Sequence, residues 1–230
     1  MNVADEPVII ARDETRELHA MSAVCRHRAQ VVAEGEGNVR SFSCPYHGWT
    51  YSLRGELVAT PEMHQTENFD RTKICLPPVK LEVWEGFVFI NFDPQCEPLA
   101  PVLGGLSKRF ANWNMSDMKS PKLLQYTAEC NWKNFVDISM EAYHSPIVHP
   151  GSLEADRPMH LWDAEDSYGA YEILVGNQIQ QTSRTIGGNP ALPQIETLSQ
   201  QDLDQSPLAF VYPNLGLVLL ADAIGYLEFL

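Results

Sequence analysis

Four residues in the first fifty carry the clearest chemistry: Cys25 and His27 in C-R-H, then Cys44 and His47 in C-P-Y-H, with sixteen residues between the two groups. Each short loop offers one thiolate and one imidazole, and two such loops facing each other make a metal site. A second set of possible ligands lies between Asn131 and Pro150, in N-W-K-N-F-V-D-I-S-M-E-A-Y-H-S-P-I-V-H-P. On a helix, Asp137, Glu141 and His144 would share one face, beside an apolar stripe of Val136, Met140, Tyr143 and Ile147. His149 sits about 140° further round an ideal helix than His144, so both imidazoles reach one metal only where the helix breaks. Pro146 and Pro150 supply the break.

The ligand types narrow the metal. A [2Fe–2S] cluster normally takes four thiolates, and replacing two by neutral imidazoles on one iron raises the reduction potential and makes a Rieske centre. The economical assignment puts Cys25 and Cys44 on the inner iron and His27 and His47 on the outer one, facing the electron's exit. Structural zinc also accepts two Cys and two His, but typically as a Cys pair and a His pair, not as mixed doublets. In the second segment, two histidines plus a carboxylate on one face of iron form the facial triad of non-haem Fe(II) oxygenases, with His144 and His149 as the imidazoles. For Asp137 and Glu141 the bland alternative is a solvated helix face.

C-R-H-R followed by C-P-Y-H-G-W-T-Y resembles the Rieske domain of Rieske non-haem iron oxygenases, the ring-hydroxylating oxygenase α subunits, and residues 131–150 resemble that family's catalytic motif. The resemblance implies an α+β fold: a small antiparallel β Rieske domain over residues 1–94, then part of an α+β helix-grip (START-like) catalytic domain over 95–230. It implies electrons from NAD(P)H passing through a reductase, sometimes via a ferredoxin, to the cluster and then to mononuclear Fe(II), which activates dioxygen. The product would be a hydroxylated or dihydroxylated small organic substrate, aromatic by default. Glu141 would bridge electron transfer between neighbouring subunits of an α₃ homotrimer, to which a β subunit can add, and Asp137 would stand behind the ligands.

The chain departs from the family pattern at several points. Ala29 stands where Gly is usual, so the first loop is expected to be less able to adopt a positive φ. Ile138 and Ser139 replace the usual Asn and aromatic, and Glu141 replaces the commoner Asp. The third iron ligand, an acid normally far beyond the second His, is expected outside this chain, since 81 residues follow His149. The sequence thus reads as a fragment lacking both ends. Glu141 and the spelling Y-H-S-P-I-V-H-P also look like members acting on choline, betaines or carnitine, which would need an aromatic cage for the cation. In a different class, the chain could be a Rieske electron carrier whose second site no longer functions.

Around these residues the elements alternate between short strands and turns. Pro7–Asp13 reads as a strand, Trp84–Phe92 as the clearest strand, and Gly35-Glu36-Gly37-Asn38 and Arg54-Gly55 as turn signals. Trp49 and Tyr51 alternate and are expected to pack the sheet. A Pro-rich run, Pro94–Pro101, precedes an expected helix over Leu103–Trp113. Strands are expected near Tyr171–Val175, Ala209–Val211 and Leu215–Leu220, with Gln181–Ser206 as surface loop. A net charge of −14 excludes a nucleic-acid binder, though Arg26 and Arg28 offer a local basic patch to an acidic ferredoxin. No apolar run spans a bilayer and no signal pattern opens the sequence, so a cytoplasmic enzyme is expected. Cys75, Cys96 and Cys130 read as reduced structural thiols.

Overall fold

The computed structural model describes residues 1–120, 123–139, 144–148, 161–165, 169–175 and 192–229. The chain divides into two compact units, Met1–Glu97 and Pro98–Leu230.

In the first unit, alternating apolar residues build β1 (Asn2–Val3), β2 (Glu6–Arg12), β3 (Leu18–Ser22), β7 (Pro78–Trp84) and β8 (Phe87–Asn91), paired antiparallel in that order. A second, three-stranded sheet holds β4 (Phe42–Ser43), β5 (Thr50–Tyr51) and β6 (Leu57–Ala59). Ile9 and Met21 from the first sheet meet Phe42, Tyr51 and Leu57 from the second in one core, and Cys25, Cys44 and Trp49 belong to it. The metal-ligand candidates therefore grow out of the packed centre of this unit.

The turn between β2 and β3 is organised by Asp13. Its carboxylate accepts from the backbone N–H groups of Thr15 and Glu17, from the Thr15 hydroxyl, from His19 at 2.9 Å and from the Arg54 guanidinium at 2.7 Å. Hydrogen bonding by His19, then Thr15, Glu17 and Arg54, outweighs burial and holds this carboxyl well below the usual carboxylate range. Arg54 comes from the β5–β6 turn, so one buried charge joins the two sheets.

Trp84–Phe92 is not one strand. Glu85 and Gly86 both take positive φ, at 49° and 89°, the condition for a tight hairpin turn, so β7 ends at Trp84 and β8 begins at Phe87. The apolar run masked the turn because Gly86 was its only breaker.

In the second unit α1 (Leu99–Val102) precedes the helix expected over Leu103–Trp113, and that range holds α2 (Gly104–Arg109) and a 3₁₀ turn at Ala111–Trp113. The paired glycines Gly104-Gly105 weaken a continuous helix. Leu103, Leu106, Phe110 and Trp113 are nonetheless fully buried. The sheet of this unit is antiparallel in the order β13 (Ile224–Glu228), β12 (Leu215–Leu219), β11 (Gln205–Val211), β10 (Gly169–Val175), β9 (Leu161–Glu165). Trp113 donates its indole N–H to the Leu220 carbonyl at 2.9 Å, which fixes the helical layer to the end of β12.

Two further helices carry the second motif: α3 (Trp132–Ser139) and α4 (Ser145–Val148). Val136 is buried against Phe210, with Trp132 and Phe229 packed around them, so the apolar stripe seats α3 on the sheet. The polar stretch before β11 contains α5 (Gln200–Leu203), opened by a capping box between Ser199 and Asp202. Asp202 also accepts from Arg109 at 3.1 Å and Asn112 at 2.7 Å. Reading this stretch as plain loop missed α5, whose four residues are too short to show periodicity.

Candidate metal centre

The two Cys/His loops are built alike. Val24 bridges Val31 and Ser43 pairs with Thr50, so each loop is the tip of a hairpin, residues 25–30 in one and 44–49 in the other. In the first, the Ala29 N–H donates to the Cys25 carbonyl and the Cys25 N–H to the Gln30 carbonyl, at 3.0 and 2.8 Å. In the second, the Gly48 N–H donates to the Cys44 carbonyl and the Cys44 N–H to the Trp49 carbonyl, at the same two distances. Both closures need positive φ at the fifth loop position. Gly48 takes it at 72°, and Ala29 takes it at 55° despite its Cβ, so the expected difficulty at Ala29 does not change the loop's course.

Burial and polarity separate the donors. Cys25 and Cys44 are 3% and 4% exposed, His27 is half-buried and His47 is exposed. The two imidazoles pack edge to face with centroids 4.6 Å apart. Burial pushes the Cys25 thiol up, but the Tyr51 hydroxyl at 3.3 Å, the backbone N–H groups of His27 and Arg28 and the Cys44 thiol outweigh it and bring the group below its ordinary value. Tyr51 is fully buried, accepts from the Arg26 N–H at 3.0 Å and places its hydroxyl 3.3 Å from Cys25 Sγ, to which it is the donor once that sulfur is a thiolate. Burial, then the Cys25 sulfur, raises the Tyr51 phenol far above its usual value, so it remains a donor.

These observations test what the loops could hold. His27 Nδ1 is buried without a hydrogen-bond partner, an orphan that costs free energy unless something binds it. Burial, then the nearby His47 and Arg28, lowers the His27 pKa and favours the neutral imidazole that metals require. Among the described residues, the only trio of ligand atoms within 4.8 Å of one another is Asp13, Glu17 and His19. The Cys/His donors thus do not converge on one ion, as a zinc site would require, and suit a cluster with two metals. In the acidic trio, Asp13 is already paired with Arg54 and saturated with hydrogen bonds, and Glu17 is exposed.

Of the second motif, Asp137 lies on the exposed side of α3, and His144 is half-buried at the start of α4, where its carbonyl accepts from the Ile147 and Val148 N–H groups. Glu141 and His149 lie outside the described residues. Cys75 and Cys130 are exposed and Cys96 is partly so, which removes the reading of all three as packing thiols. Arg26 and Arg28 are both exposed beside the first loop. The sequence reading missed two roles: the Tyr51 hydroxyl on a cysteine sulfur and the Trp49 ring against His27. Only their positions, four and two residues past His47, could have signalled either.

Comparison with known proteins gives the family. Residues 1–70 match the Rieske [2Fe-2S] domain, and residues 111–228 match the catalytic domain of the ring hydroxylating alpha subunit. This chain belongs to the ring-hydroxylating oxygenase α subunits. It is 35% identical to the carnitine monooxygenase oxygenase subunit of Escherichia coli over 69% of this chain and 44% of that protein. It is 33% identical to the chloroplastic choline monooxygenase of Arabidopsis thaliana over 92% of this chain and 50% of that one. The fold matches a crystal structure of a quaternary ammonium Rieske monooxygenase with a TM-score of 0.73 at 23% identity, over 99% of this chain and 63% of the other. The chain thus spans about half the length of the curated relatives it matches. The family's cofactors are a [2Fe–2S] Rieske cluster and a mononuclear iron.

Proposed function

We propose that this chain is the oxygenase component of a Rieske-type monooxygenase that hydroxylates a quaternary ammonium compound of the carnitine, choline or betaine kind. The cluster is supported by the pair of matching hairpin tips that brings two buried thiols and two imidazoles to one place, and the observation that carries the oxygenase reading is the match of residues 111–228 to the ring hydroxylating alpha subunit's catalytic domain. The substrate class is supported by the carnitine and choline enzymes among the relatives. They favour this class over the aromatic substrate that is the family's default.

In this reading, residues 1–94 form the Rieske domain and 95–230 part of the catalytic domain. Cys25 and Cys44 hold the inner iron, and His27 and His47 the outer one. The cluster supplies single electrons drawn from NAD(P)H through a reductase, with or without a ferredoxin. Tyr51 keeps a hydrogen bond on one thiolate, and Arg28 and Arg26 present positive charge beside the imidazoles for an acidic donor. His144 and His149 are the imidazole ligands of the mononuclear iron, and its carboxylate ligand is not assigned. Glu141 bridges to the neighbouring subunit's cluster in a homotrimer, with or without a β subunit, and Asp137 supports the site from the helix. No helix among the described residues is long and apolar enough to cross a membrane, and the proposed location is the cytoplasm.

The test is oxygen uptake coupled to NAD(P)H and a reductase, with ¹⁸O₂ incorporation followed by mass spectrometry on L-carnitine, choline, glycine betaine and a panel of aromatic acids. Label in a trimethylammonium compound is the expected result. Label only in an aromatic acid would return the substrate to the family default, and cluster reduction without label in any compound would favour an electron carrier.

A further inference from the structure

The two imidazoles of the first unit differ in what covers them. Tyr46 lies over His47 with ring centroids 3.9 Å apart, but it is tilted by 30° and 62% exposed. Trp49 lies over His27 with centroids 4.7 Å apart and planes within 9° of parallel, and it is 5% exposed. One imidazole therefore faces solvent and a loose cover, and the other faces a fixed aromatic wall.

The wall is itself held on three sides. The Trp49 carbonyl accepts from the Cys44 N–H and closes the second loop. Phe69 packs against the indole with centroids 5.7 Å apart. Pro61 lies where a Cβ on Gly48 would stand, 3.2 Å away, so the residue before Trp49 is pinned between its own turn and the following segment. A histidine that binds metal is usually oriented by a hydrogen bond to its other ring nitrogen. Among the described residues no hydrogen bond reaches the His27 ring to orient it, and its buried Nδ1 is the nitrogen left open for the metal. What fixes the ring plane is then aromatic packing.

We infer that Trp49 is a positioning residue for the cluster: its indole, stacked on His27 and backed by Phe69, sets the plane of that imidazole and keeps water from its face. The inference rests on the assignment of His27 as a cluster ligand. It makes the cluster's two histidines unequal, with His27 the shielded one and His47 the one open to partners.

The experiment uses the full chain, purified anaerobically and reduced with dithionite, and reads the electron paramagnetic resonance spectrum and the rate of cluster bleaching by a chelator. Trp49→Leu should shift or broaden the g-values and speed cluster loss roughly tenfold, the scale expected when the group orienting a metal ligand is removed. Trp49→Phe, which keeps a flat ring, should restore the native spectrum, and Phe69→Leu should fall between. Native spectra and bleaching rates in Trp49→Leu would overturn the inference, as would a Trp49→Phe protein no better than Trp49→Leu. Should Trp49→Leu not fold, native values in Phe69→Leu would overturn it. A wild-type chain with no Rieske signal would instead remove the ligand assignment, a separate failure.

Discussion

At the scale of single residues, the structure turns two apparent packing residues and one apparent defect into functional detail. The Tyr51 hydroxyl lies 3.3 Å from the Cys25 sulfur in a fully buried position, and donating to a cluster thiolate there it would stabilise the reduced, more negative state. Tyr51→Phe should lower the reduction potential by on the order of 40 mV, about 1 kcal/mol for one electron, as read by potentiometric titration; an unchanged potential would remove Tyr51 from the cluster's environment. Ala29 holds a φ of 55°. Because an L side chain pays in that region and Gly does not, Ala29→Gly should raise thermal stability by about 0.5–1 kcal/mol after the added freedom of the unfolded chain is deducted. The two Cys/His groups that the structure places on matching hairpin tips were legible from type and spacing alone. The roles of Tyr51 and Trp49 were not, because alternation along a strand says which face a side chain takes and nothing about the atom at its tip.

Elements follow local rules, and they fail to be read where those rules are overridden by one or two residues. The strand expected at Pro7–Asp13 is found at Glu6–Arg12, since its apolar run is bounded by a polar turn. Trp84–Phe92 is divided by Glu85-Gly86, and the helix expected over Leu103–Trp113 begins at Gly104 and gives way at Phe110 to a 3₁₀ turn. The Asp13 hub had no sequence signal because Arg54 reaches it from a turn 41 residues away. It does carry a pH dependence. The folded carboxyl lies below its unfolded value, so its contribution is complete above about pH 4 and is lost as pH falls through the folded value. Asp13→Asn should lower stability at neutral pH and flatten the acid limb of the unfolding curve, with cluster absorbance as reporter. A variant whose acid limb matches the wild type would show that other carboxylates set it.

For the molecule as a whole, the chain forms two compact units, and the two sites proposed for them are separable by mutation. In the first unit the candidate cluster ligands sit on hydrogen-bonded hairpin tips, residues 25–30 and 44–49. The second motif rests on α3, anchored by Val136 and Trp132 against Phe210, and on His144 at the head of α4. If His144 binds the mononuclear iron, His144→Ala should abolish ¹⁸O transfer to substrate while leaving the reduced Rieske spectrum unchanged; full product formation in that variant would overturn the assignment. The family could be read from two short motifs because cluster and iron ligands demand fixed residue types at fixed spacing. The substrate class could not, because side chains that recognise a cation come from many elements and share no spacing. The most direct measurement is the iron, zinc and acid-labile sulfide content of the anaerobically purified chain, with the electron paramagnetic resonance spectrum after dithionite reduction. About two sulfides per chain with a Rieske signal is the predicted result, whereas zinc without sulfide would contradict the account at its centre.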